Sequence, residues 1–158
     1  MRSFVSKTAN GGVRSALIPL SEGALLLPNA VVAEVIGYRV PEPVEGVPDW
    51  YLGRVAWREK LLPVISFEKV LGRAAGEVGH RARIIIVYGL GGDGETLPYY
   101  AILARTIPRL SQVSAVNIEE HPDDGQHDAV AAHVLVDGEE AWIPNVDALT
   151  NMINEASL

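Results

Sequence analysis

The segment "HPDDGQHD", residues 121 to 128, gathers His121, Asp123, Asp124, His127 and Asp128. All are metal ligands or acid–base groups by type, and His121, Asp123 and His127 together are what a small metal-dependent hydrolase would use. The same stretch holds Pro122 and Gly125 and shows no periodicity, so it also reads as an exposed acidic loop that orients ligands poorly. His80 and His133 stand alone. His133, within "AVAAHVLVD", is either an outward residue of a strand or a hydrogen-bonded core histidine. Ser21, Ser66, Ser111 and Ser114 offer hydroxyls, but none sits in a G-x-S-x-G elbow. "GLGGDG" satisfies G-x-G-x-x-G through Gly89, Gly91 and Gly94, yet "ETLPYYAIL" follows where a dinucleotide site needs a helix to open. That segment reads as a hairpin loop. The absence of cysteine excludes disulfides, thiolate metal sites and thiol nucleophiles. The sequence therefore points to a non-enzyme, with no catalytic residue, no cofactor and no bound metal expected.

A second group of charges lies in "YLGRVAWREKLLPVI", residues 51 to 65, where Arg58-Glu59-Lys60 separates two apolar runs. No acid, base or metal ligand is spaced to assist them, which favours a hairpin tip over a reactive site. The elements that must carry these residues are short. Apolar runs punctuated by Gly, Pro and acidic residues predict strands at 15–20, 24–27, 31–36, 52–57, 61–65, 83–88, 99–104, 109–113, 130–136 and 141–143. Short helices are predicted at 67–71 and at about 146–153, the second capped by Asn145 or Asp147. "EKLLPVISFEKVL" and "EEAWIPNVDAL" form a weak internal repeat when Pro63 is set on Pro144 and Ser66 on Asp147. Both prolines lack a ladder N–H, so each predicts an open side of a sheet.

Bulk composition narrows the function classes. A chain of 158 residues is long enough for one self-supporting core. Its formal charge of -7 gives no general attraction to nucleic acid or anionic lipid, and no local basic patch is evident. The apolar runs fall far short of the ~20 residues a membrane-spanning helix needs, and the first residues do not resemble a secretory signal. A cytoplasmic location without membrane insertion is expected.

In order, "SALIPLSEGALLLPNAVVAEVI", "VPEPVEGVPDWYLGRVAWREKLLPVISFEKVLG", "ARIIIVYGL", "YYAILARTIPRLSQV" and "AWIPNVDALTNMI" resemble the CheW-like domain, the coupling protein of bacterial chemosensory arrays. The shared pattern is a Pro-punctuated loop, Leu-Gly, a strand ending in Arg, a tight turn, apolar-Pro-Val-apolar, and a short helix ending in Leu-Gly. The resemblance implies a mainly β fold of two SH3-like five-stranded barrel lobes with short helices. It implies residues 1–13 as a leader, one domain over 14–153 with the lobe boundary near 73–82 and strands possible to exchange between lobes, and a tail from 154.

Functionally, the resemblance implies a non-catalytic adaptor that couples a methyl-accepting chemoreceptor, through its cytoplasmic hairpin tip, to a CheA-type histidine kinase. An alternative within the family is an accessory protein that binds one partner in a surface-motility system; the metal-dependent hydrolase is the alternative outside it. The residues expected at the partner surface are Glu34, Val35, Gly53, Trp57, Arg58 and Glu59, with Arg39 as a further rim charge; Trp57 and Glu59 depart from the family pattern. Arg58 is expected to pair with Glu34, and Gly53 to allow a bulge or close backbone approach. Trp57 stands where aliphatic residues are usual and is expected to enlarge the apolar tip. Glu59 stands where the family usually has glycine, which predicts a different turn or a longer loop, since left-handed geometry costs a Glu about 1 kcal/mol or more. Val32, Val47, Trp50 and Tyr51 are apolar material for either core or interface.

Overall fold

The computed structural model describes residues 12–89, 98–123 and 126–157. Two antiparallel-dominated sheets make up the molecule, and the chain visits one, leaves for the other and returns. It starts with β1 (Val13–Pro19) and β2 (Ala24–Pro28). A 3-10 turn at Asn29–Val31 then leads into β3 (Val32–Gly37), β4 (Tyr51–Trp57), β5 (Lys60–Ile65), β6 (Arg83–Tyr88) and β7 (Tyr99–Ala104), with α1 (Phe67–Val70) after β5. The return comprises β8 (Arg109–Val113), β9 (Ile118–Glu120), β10 (Val130–Val136), β11 (Glu139–Pro144) and α2 (Val146–Ala156). One sheet runs β3-β6-β7-β5-β4; the other runs β8-β1-β2-β11-β10-β9. The second sheet has six strands rather than five, because β9 pairs with β10 through Glu120, Glu119 and Ile118.

Side-chain alternation explains both the strands and their assembly. Ile84 and Ile86 face a core inside the five-stranded lobe with Val55, Trp57, Leu62, Val64 and Leu103, while their neighbours Ile85 and Val87 face the opposite way. Leu17, Ala24 and Leu26 likewise point into the six-stranded lobe with Val134, Val136 and Ile143, and Ile18, Leu25 and Leu27 point out of it. These outward faces meet in a shared core with Phe67 of α1 and Leu149 and Ile153 of α2. Strands buried on both faces must be apolar throughout, hence the unbroken runs in the sequence. Burial in this shared core pushes the Tyr100 phenol well above its ordinary range, so it stays neutral.

Both helices follow a parallel-sheet join and carry a side-chain cap. Ser66 Oγ accepts from the Lys69 N–H over 3.4 Å, and Asn145 Oδ1 accepts from the Ala148 N–H over 3.1 Å. β5 pairs in parallel with β7 only at Val64 and Ile65, and β11 with β2 only at Ala141 and Trp142. Pro63 thus sits where β5 parts from β7, and Pro144 at the end of β11. The repeat is present with a different register: the caps Ser66 and Asn145 correspond, as do the turns Arg58-Glu59 and Asp137-Gly138, which sets Pro63 against Trp142.

Candidate functional site

Arg58 and Glu59 are the two loop residues between Trp57 and Lys60, which pair directly across the hairpin. Both have positive φ, 46° and 64°, the signature of a type I′ turn whose twist matches that of the flanking strands. The expectation of a different turn or a longer loop is therefore corrected. The tight turn is kept without glycine, and the steric cost is borne by two L-residues. The matching hairpin in the other lobe uses Asp137 and Gly138, at φ 50° and 82°. Replacing Glu59 by Gly is expected to stabilise the protein by about 1 kcal/mol and raise Tm by about 2 to 4 °C, measured by thermal unfolding.

What the strained turn achieves is the placement of Arg58. Its guanidinium carbon lies 4.6 Å from the Trp57 ring centroid, and Nη2 donates to Glu34 Oε1 over 3.3 Å. Trp57 Nε1 donates to that same oxygen over 2.9 Å. Glu34 is on β3 and Trp57 on β4, the two ends of the five-stranded sheet, so this contact draws those ends together and closes the lobe. The expected Arg58–Glu34 pair is formed. Trp57 does not enlarge an exposed tip as expected: it is 6% exposed and edge-packed on Tyr99 with ring centroids 4.9 Å apart. Alternation puts Val55 and Trp57 inside and Ala56 outside, so its role is to hold Glu34 from below.

The other residues of the surface separate by exposure. Val35 and Leu61 are exposed apolar side chains, at 39% and 59%, and Glu59 and Arg39 are also exposed. Gly53 is buried: its φ is 138°, a Cβ there would stand 2.3 Å from the Glu42 carbonyl oxygen, and the β4 register shifts between Tyr51 and Gly53. It provides the close approach that lets Glu42 and Arg54 exchange backbone hydrogen bonds of 2.8 and 2.9 Å along the outer edge of β4. Tyr51 belongs to the shared core, and Val32, Val47 and Trp50 are half-buried against that core.

The histidine and aspartate loop is assembled differently from the sequence grouping. His127 Nδ1 accepts from the Ala129 N–H, and Asp123 presents its backbone to two imidazoles, one of them His133. His121 joins His133 and Glu140 instead. No spacing rule reveals that trio, since it comes from strand register. Gly89 donates its N–H to Pro98 O between the antiparallel β6 and β7, as a hairpin requires; Gly91 and Gly94 of that loop, and Asp124 and Gly125 of the histidine loop, lie outside the described residues.

The family model of the CheW-like domain matches residues 15–154. The chain belongs to that family. A similar solved structure of a CheW-like protein is the crystal structure of scaffolding protein TtCheW from Thermoanaerobacter tengcongensis, with a TM-score of 0.72 and 21% identity over 87% of this chain and 92% of that one. At that identity the likeness shows the fold, and it agrees with two SH3-like lobes. No curated protein matches the chain. Among the described residues of this CheW-like chain, no helix is long and apolar enough to cross a membrane.

Proposed function

We propose that this CheW-like chain is a non-catalytic cytoplasmic adaptor that couples a chemoreceptor to a CheA-type histidine kinase. The observation that carries the reading is the family match across residues 15–154, nearly the whole described chain. One lobe meets the matching lobe of the kinase's regulatory domain, and the receptor's cytoplasmic hairpin tip lies against β3 and the β4–β5 hairpin. Val35 and Leu61 supply apolar area there, and Arg58, whose side chain is 69% exposed, supplies a charge held in one place by Glu34 and Trp57. An exposed pair of this kind adds little to folding but sets partner choice and register. Nucleic acid is disfavoured as a partner by the charge of -7.

The test is binding of the purified chain to a receptor-tip fragment and to the kinase's regulatory domain. Arg58→Ala is expected to weaken receptor binding about tenfold, the ~1.4 kcal/mol scale of one well-placed charge, with Tm nearly unchanged. Unchanged affinity in that variant would remove Arg58 from the partner surface.

A further inference from the structure

Three side chains, two from neighbouring strands and one from the segment after a third, converge beside the six-stranded sheet. His121 follows β9, His133 is on β10 and Glu140 on β11, and one ligand atom of each lies within 4.8 Å of the other two. His133 Nε2 is 2.8 Å from Glu140 Oε2, and His121 Nε2 is 3.5 Å from that same oxygen. The rings are held rather than loose. His121 stacks on His133 with centroids 4.0 Å apart, His133 stacks on Trp142 at 5.0 Å, and the Arg73 guanidinium carbon lies over the Trp142 ring, 4.8 Å from its centroid.

We propose that His121, His133 and Glu140 form a binding site for a divalent transition metal, with zinc the best match. His133 Nδ1 faces the carbonyl oxygen of Asp123, which only an N–H satisfies, so Nδ1 carries the proton and Nε2 is aimed at the carboxylate. Between Nε2 and a carboxylate there must be a proton or a cation. Anchoring a histidine through Nδ1–H to a backbone carbonyl is the arrangement that orients metal-ligating imidazoles. The Asp123 oxygen also lies 3.2 Å from His121 Nδ1. His121 Nδ1 now accepts from the Asp123 N–H over 2.9 Å; ligation through Nε2 moves the ring proton to Nδ1, which then turns from that N–H to donate to the Asp123 oxygen.

Two imidazoles and a carboxylate are a zinc donor set, at about 2.0 to 2.2 Å per bond, and the more exposed His121 must tilt out of its stack on the buried His133 to aim its Nε2 lone pair at a shared ion. The site is also open on one side. The His133 side chain is 1% exposed, but those of His121 and Glu140 are 21% and 28% exposed, which leaves room for a water as fourth ligand.

Zinc titrated calorimetrically into the untagged, chelator-treated full chain is expected to bind at one equivalent with micromolar or tighter affinity. Cobalt in its place is expected to give the visible bands of a tetrahedral site. His121→Ala and Glu140→Gln, the second retaining the shape of the native side chain, are each expected to weaken zinc at least tenfold, while His80→Ala leaves it unchanged. Circular dichroism of the metal-free variants checks that they fold. No one-equivalent binding in the wild-type chain, or wild-type affinity in both His121→Ala and Glu140→Gln, would overturn the proposal.

Discussion

Replacing Glu68 by Ala is expected to lower the unfolding free energy by about 3 to 5 kcal/mol, the cost of leaving a buried charge without its partner. Glu68 sits in the single turn of α1 with a side chain 5% exposed, between the two lobes. Its Oε1 accepts from Arg105 Nη2 over 3.2 Å, and its Oε2 accepts from the Ser21 N–H over 2.6 Å. Ser21 lies in the β1–β2 turn of the six-stranded sheet, whereas α1 follows β5 of the other, so one carboxylate ties the lobes together. Arg105 continues the tie by donating to the carbonyls of Gly76 and Glu77 over 2.9 and 3.1 Å. Its Nε has no hydrogen-bond partner among the described residues, so once Glu68 is gone the guanidinium keeps its two carbonyl acceptors and no countercharge. Tm falls by about 10 °C at the usual 2 to 4 °C per kcal/mol for a chain of this size. Urea unfolding followed by circular dichroism measures it. A loss under about 1 kcal/mol would mean that water reaches Arg105 and that the pair does not join the lobes.

Gly53→Ala is expected to be nearly as damaging, at about 3 kcal/mol, for a different reason. The backbone there is at φ 138°, which L-residues rarely adopt, and the added Cβ would stand 2.3 Å from Glu42 O and 3.0 Å from Pro41 Cβ. The neighbour is backbone, so relief requires the 41–42 segment to leave β4. Loss of the Glu42–Arg54 bonds should appear as faster amide hydrogen exchange at Glu42 and Arg54 before global unfolding. Retention of wild-type protection at both amides would show that the bulge accommodates a side chain.

Most strands are legible in the sequence because they are buried on both faces, and an unbroken apolar run such as Ile84 to Val87 is what that burial demands. β9 is not legible, since Ile118-Glu119-Glu120 has one apolar residue and sits at a sheet edge, where charge is favoured and discourages further pairing. The Arg58-Glu59 turn is hidden for the opposite reason: its positive φ values usually leave glycine as their mark, and here they do not. The Arg58–Glu34 pair is readable from the family pattern. Trp57 beneath it passes for exposed surface beside so many charges, although strict alternation with Ala56 assigns it inward. Aligning the repeat on Pro63 and Pro144 gives the wrong register, because the two prolines hold different structural positions. His121, His133 and Glu140 lie on separate elements with no local spacing in common, and only the sheet order brings them together.

An adaptor must associate with two proteins at once. Capture of the full chain from its native cell, followed by identification of what co-purifies, tests this most directly. A CheA-type histidine kinase and a chemoreceptor are expected to come down together, with the receptor depleted when Arg58→Ala is the bait. Reproducible recovery of the chain with neither kinase nor receptor would contradict the adaptor role.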